Sequence, residues 1–251
     1  MRDRPCKWNE FPKTFEPIAY TGEAENAARA AGWTVLHLSP MESGPRPWFQ
    51  RAAPSGDSST PRLYISAGIH GDEISGPLAL LEMMRQPDSF DAFDVTMFPI
   101  LNPNGLASGR TGTKSTSTAI TETLDHSKRR ATSRLTLGRF EASMMLQEDY
   151  EGIGAYLYEL NDTLDPGLGA KIIAAMGLHV PVDLRPEIDE AVARGVVISR
   201  RDLISKLGRL EDRPEWSEAT YLTVYHTEVS YTIETPKPFP IKARVKASGP
   251  S

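Results

Sequence analysis

The residues best placed to do chemistry are His70 and Glu73, an H-x-x-E spacing in the run Ser66-Ala67-Gly68-Ile69-His70-Gly71-Asp72-Glu73. An imidazole and a carboxylate at that spacing converge on one cation when the backbone turns between them, and Zn2+ accepts mixed nitrogen and oxygen ligands. Such four-residue matches are common, and the plainer alternative is a loop histidine beside a solvated acid. Context decides between them. The pair follows an apolar run, sits between small residues and precedes a Ser75-Gly76-Pro77 helix start, as a ligand-bearing loop at the end of a buried strand would. The other histidines, His37, His126, His179 and His226, have no partner at ligand spacing and read as structural or exposed. A single cysteine, Cys6, cannot form an internal disulfide, so any metal must be held by histidine and carboxylate groups.

The elements that must position this loop can be read in order. Residues 20–31 suggest a short helix, with Thr21 as a possible N-cap and Gly32 as its break. A strand follows at Trp33 to Leu38, then a proline-rich loop over 39–61. Leu63 to Ile65 reads as a short buried strand, with a helix beginning near Ser75, and residues 94–101 as a second buried strand running into the turn Asn102-Pro103-Asn104-Gly105. Further strands are expected at 140–146, 155–158 and 196–198, a helix at 171–178, and a strand or pair of strands over 221–233. Apolar runs in place of strict alternation favour a parallel or mixed sheet covered by helices. Trp33, Met83, Met84 and Phe98 are expected in the core. Tyr156 and Tyr158 alternate on a strand, so one of them can face a pocket.

With 251 residues, at roughly 150 per domain, one α/β domain spanning 1–251 is the expectation. At 39% hydrophobic and 24% charged residues the chain falls in the globular range. The net charge of −5 argues against a nucleic-acid partner. No apolar run is long enough for a membrane span, and the opening MRDRPCKWNEFPK lacks the apolar stretch of a signal peptide, so a cytoplasmic location without membrane partners is expected.

Four runs taken together, SAGIHGDEISGPLALL, LNPNGLASGR, LQEDYEGIGAYLYEL and SYTIETPKPFP, resemble the zinc carboxypeptidase superfamily. The similarity is to its M14-type branch, which is also similar to succinylglutamate desuccinylase and aspartoacylase, and it extends over most of residues 20–245. The resemblance implies a mixed, mostly parallel eight-stranded α/β sheet with helices on both faces, and Zn2+ as cofactor. It puts His70 and Glu73 on the first two zinc ligands and Glu234 on the general base that activates the attacking water. It puts Arg110 where the family keeps an arginine that stabilises a tetrahedral oxyanion. Read without the family, Glu234 is an acid at a strand end before a proline turn, and Arg110 a solvated loop arginine.

The chain departs from the pattern twice. The family's third ligand is the histidine of Leu-His-Glu-Asp, and here the run is Leu146-Gln147-Glu148-Asp149. A neutral amide oxygen is a poorer zinc ligand than an imidazole nitrogen, so weaker zinc affinity is expected, helped by water or by Glu148. Alternatively, Gln147 is a buried hydrogen-bonding residue. The second departure is at 111–134, where the family carries Asp-Leu-Asn-Arg-Asp-Tyr with its substrate clamp. Here eleven of 24 residues are Ser or Thr, five are Lys or Arg and four are apolar, with no helical or strand period. Regrouping degenerate codons by one base from Arg110 onward permits Asn-Gly-Asn-Lys-Val-Asp-Leu-Asp-Arg-Asp-Tyr, which resembles the missing motif, so an out-of-frame origin is expected for the stretch. Three functions follow: a zinc-dependent, metallocarboxypeptidase-like hydrolase of small peptides, an N-acyl amino acid deacylase, or a metal-impaired, inactive relative.

Overall fold

The computed structural model describes residues 15–110, 138–161, 168–188, 191–194, 197–199 and 217–249. Cys6, His126 and the stretch 111–134, with the expectations placed on them, lie outside the described residues. Helix α1 (Pro17–Ala30) leads into the hairpin β1 (Thr34–Met41) and β2 (Gly44–Arg51). Then come β3 (Arg62–Ala67), α2 (Ser75–Met84), β4 (Asp94–Phe98) and the short α3 (Pro103–Ser108). The second half contains β5 (Ala142–Asp149), β6 (Tyr156–Asn161), α4 (Gly169–Met176), β7 (Glu187–Ile188), β8 (Ala191–Arg194) and β9 (Val197–Ser199). It closes with α5 (Glu218–Tyr225), β10 (Val229–Pro236) and α6 (Ile241–Ser248).

Among the described residues the sheet is mixed, as expected, but it has ten strands, not eight, and is parallel in part, not mostly, in the order β1-β2-β4-β3-β5-β10-β6-β9-β8-β7. Its centre, β4-β3-β5-β10, is wholly parallel. Beyond it β6 runs antiparallel to β10 and parallel to β9, and the outer pairings are antiparallel. One strand not expected is β2, second from the β1 edge, which falls in the stretch read as a loop. Its prolines explain both the misreading and the structure. Pro45 and Pro47 lie where β2 pairs with β1 alone, and only Phe49–Arg51 pair with β4 as well, so the missing amide protons interrupt no inner ladder. Burial of Trp48 and Phe49 holds the segment extended.

Two other readings need correction. Residues 221–233 are not all strand: α5 runs to Tyr225 before β10 begins at Val229. Tyr, Thr and Val favour strands intrinsically, but Ser217 caps the helix by accepting from the Thr220 amide at 3.3 Å, and Leu222 is fully buried. Thr21 does not cap α1; Pro17 begins that helix, and the Thr21 hydroxyl donates to the Pro17 carbonyl at 2.7 Å within it.

Helices cover both faces unequally. On one face Ile65, Ala67, Leu146, Ile233 and Tyr231 pack under α1, α2, α4 and α6. On the other, Tyr64, Met145, Trp48 and Phe98 form a smaller cluster with Leu222 of α5, Trp48 stacking on Phe98 at 5.4 Å. The expected core residues Trp33, Met83, Met84 and Phe98 are all buried. The chain enters β5 through two backbone bonds, Phe140 N to His226 O at 2.7 Å and Glu141 N to Arg62 O at 2.9 Å.

Strand alternation sends Glu148 to the larger core, where it is ion-paired with buried Arg244 of α6 and accepts from the Ser75 amide at the start of α2 at 3.4 Å. Burial pushes the Arg244 guanidinium down to about 10, still charged at neutral pH. Removing one partner of such a pair strands the other charge in the core. Arg244→Met should therefore lower unfolding stability by about 3 kcal/mol, read as a shift in urea midpoint at unchanged slope.

Candidate functional site

Because β3, β5 and β10 are parallel, their carboxyl ends meet at one edge of the sheet, where open α/β sheets bind ligands. His70 and Glu73 lie on the loop after β3. Gln147 and Glu234 face each other in register near the ends of β5 and β10, and Tyr156 of β6 pairs with Glu234 from the other side. Alternation puts these three on the face opposite Glu148, so Glu148 is not available to support a metal there.

Backbone contact holds the His70 loop. Gly68 sits at φ 67°, in the left-handed region that favours glycine. Asn102, fully buried, donates from Nδ2 to the Ile69 carbonyl at 3.0 Å and accepts from the Gly105 amide at 3.0 Å, tying this loop to the turn after β4. Gly71 lies so close to that turn that a Cβ would come within 2.2 Å of the Gly105 carbonyl and 2.3 Å of the Arg110 carbonyl. The backbone of Arg110 is thus beside the loop, while its side chain is exposed.

The loop ends are cross-linked by polar contacts. Lys237, just after β10, is bonded to Asp72, and its amide donates to the Asp149 carbonyl at 2.9 Å. Thr235 Oγ1 donates to the Gln147 carbonyl at 3.2 Å and lies 3.3 Å from Ser75 Oγ. Tyr156 donates to Asp149 at 3.1 Å, and burial, then the charges of Glu234, Tyr158 and Asp149, raise its phenol above the ordinary value.

His70 Nδ1 and Glu73 Oε1 are 2.6 Å apart. Burial opposes the charged imidazole, but the bond to Glu73 and the charges of Glu73, Asp72 and Glu218 outweigh it, and the ring is raised from its usual value. Burial also raises Glu73, against the pull of His70 and Lys237. Glu73 Oε2 is buried without a hydrogen-bond partner. A cation would satisfy that orphan, and in this respect the residues fit a metal. The set is incomplete in another: among the described residues no cluster of three or more His, Cys, Asp or Glu side chains forms a metal site.

One residue next to the candidate site was missed in the sequence. Glu218, on the first turn of α5, is buried beneath the site, its Oε1 accepting from Tyr64 at 2.6 Å, with the charge of His70 acting on it. The local signal for its helix is the cap Ser217 one residue before, which lies ahead of the segment read as strand. Tyr156 and Tyr158, two apart on β6, lie on the same face with ring centroids 5.5 Å apart, so alternation does not separate them, and Tyr156 is the one paired with Glu234.

Residues 59–149 match the sequence model of the succinylglutamate desuccinylase/aspartoacylase catalytic domain. No curated protein matches the chain. Among solved structures, a candidate metallopeptidase from Shewanella denitrificans OS217 is 23% identical, superposes with a TM-score of 0.73, and is matched over 92% of this chain and 85% of its own. A candidate metallopeptidase from Shewanella amazonensis SB2B is 21% identical, with a TM-score of 0.74 over 91% and 88%. A metallo-carboxypeptidase from Burkholderia cenocepacia is 12% identical, with a TM-score of 0.56 over 91% of this chain and 65% of that one. The chain thus shares its fold with these structures over nearly its whole length, and its sequence resembles the succinylglutamate desuccinylase/aspartoacylase catalytic domain from β3 through β5.

Burial, the largest influence, raises the Glu218 carboxyl, although Tyr64, Ser66 and His70 each lower it. The folded chain then holds that proton more tightly than the unfolded one, so this residue's contribution to stability falls as pH rises through its folded value. Glu218→Gln keeps an acceptor for Tyr64 and removes the charge. Its stability relative to the parent chain should increase from pH 5 to pH 8, by denaturant melts at each pH.

Proposed function

We propose that the chain is a zinc-dependent, carboxypeptidase-like hydrolase that cleaves an amide bond of a small peptide. The observation that carries this reading is the register of β5 and β10, which sets Glu234 beside Gln147 at the sheet edge where the His70 and Glu73 loop begins. His70 and Glu73 would hold the metal, with the Gln147 amide as a weak third donor. When bound, zinc supplies a Lewis acid for the scissile carbonyl and lowers the pKa of water. Glu234, 8% exposed in a site flanked by Tyr156, takes the proton of the attacking water and passes it to the leaving amine. Arg110 stabilises the oxyanion, reaching the carbonyl from the turn that touches Gly71.

A second reading, hydrolysis of an N-acyl amino acid, is supported by the family match over 59–149. The two share every residue named above and differ in which end of the substrate is recognised. Zinc per chain, measured by elemental analysis, tests both. Gln147→His should bind about one zinc per chain, the parent chain should lose zinc more readily to a chelator, and Glu234→Gln should keep the metal while losing about 100-fold or more of any hydrolysis of peptides or acyl amino acids. Zinc absent from the parent chain and from Gln147→His would sink the metal assignment, and zinc only in the variant would mark this chain as a metal-impaired relative.

The stretch 111–134 stands where the family keeps its substrate clamp, and we propose that it is read out of frame. Fresh sequencing of the gene should show a compensating pair of insertions or deletions, or an error, at its two ends; an intact frame with no trace of either would retire the idea.

A further inference from the structure

The loop that carries His70 and Glu73 is anchored on two sides by backbone packing, to the turn after β4 at Gly71 and to β5 at Gly76. Toward β10, the strand of Glu234, side chains make the connection. Thr235 Oγ1 lies 3.3 Å from Ser75 Oγ at the start of α2, and Lys237 is ion-paired with Asp72. The second of these reaches inside the loop, at the residue between Gly71 and Glu73.

Lys237 is itself held from three directions. It stands between Pro236 and Pro238, whose fixed φ and exclusion of the α region before proline leave its backbone little freedom. Its amide donates to the Asp149 carbonyl at 2.9 Å, which ties it to the end of β5 beyond Gln147. Its ammonium lies 5.1 Å from the centre of the Tyr150 ring, which gives a role to an aromatic side chain that is 72% exposed. An ion pair this open, with Lys237 22% and Asp72 31% exposed, adds little to global stability. What it fixes is position. Asp72 and Glu73 are adjacent carboxylates beside one histidine. Lys237 engages the first, while Glu73 has Oε1 on His70 and Oε2 buried without a partner.

We propose that Lys237 is a positioning residue: its bond to Asp72 sets the spacing between the His70 and Glu73 loop and Glu234, and it keeps Asp72 out of the ligand set so that Glu73 is the carboxylate offered to the metal. The consequence for metal binding rests on the hydrolase reading above; the contact itself does not.

Zinc affinity by chelator competition, in full chains carrying Gln147→His, separates position from charge. If only their fields mattered, removing the cation in Lys237→Met would tighten zinc binding and removing the anion in Asp72→Asn would loosen it. Acting through position, both substitutions should weaken zinc by about tenfold or more, the double variant should lose no more than either alone, and Lys237→Arg should retain the affinity. In the metal-free chains, hydrogen exchange over residues 69–73 should be about tenfold faster in Lys237→Met than with Lys237 in place, with β3 and β5 unchanged. Zinc held as tightly or more tightly by a folded Lys237→Met variant would overturn the proposal, and so would unchanged exchange in the loop. Asp72→Asn, read the same way, decides the matter if Lys237→Met fails to fold. Zinc bound by none of the chains would sink the hydrolase reading, and the exchange rates would then decide whether Lys237 positions the loop.

Discussion

The backbone of Gly71 rests directly on the carbonyls of Gly105 and Arg110, and the geometry of the candidate site depends on that contact. It puts the loop after β3 on top of the turn after β4, with nothing between them but main chain. Asn102 bonds both sides of the contact and so acts as a spacer of fixed length. A second close approach secures the other side of the loop. A Cβ at Gly76 would come within 2.8 Å of the Leu146 carbonyl, so α2 starts hard against the strand that carries Gln147. Glu73 is thus held between two places where a side chain is excluded, and His70 directly precedes the first of them, which fixes the pair relative to β5.

The parallel centre of the sheet was legible because its strands are buried on both faces and write themselves as short apolar runs. Leu63 to Ile65 and Val95 to Phe98 are of this kind, each followed by a turn with Gly or Pro. The edges were less legible for a physical reason. The first half of β2 is paired only with β1 and so tolerates proline, which gives it the composition of a loop although none of its residues is exposed and Trp48 and Phe49 do the packing. The α5 segment failed in the opposite sense. Tyr221, Thr223 and Tyr225 carry strand propensity, and the helix exists because Leu222 fills the gap beside Tyr64 and Phe98, a tertiary contact that no local window contains.

The residues of the candidate site differ in how far local sequence could bring them together. His70 and Glu73 are near neighbours in sequence, so their spacing carried the signal, and the structure places them 2.6 Å apart. Gln147 and Glu234 are far apart in sequence and met only through the family resemblance; their register in β5 and β10 then came from the sheet. Glu148 shows the limit of reading a motif as a string. Adjacent to Gln147, it faces the other way and pairs with Arg244, because a strand alternates. Glu218 could not be found from spacing at all, since it approaches His70 from a helix more than a hundred residues later in the chain.

The way the chain enters β5 bears on how such a gene can change. From Phe140 onward the strand is held by bonds to His226 and Arg62 and by its pairing with β3, so the parity that turns Gln147 toward one layer and Glu148 toward the other is set after Gly138. What precedes that point does not enter into it. A reading frame lost and regained upstream of Gly138 would alter the composition of the intervening stretch and leave every strand behind it facing the correct way; the same pair of shifts ending a few codons later would write unrelated side chains into β5 itself.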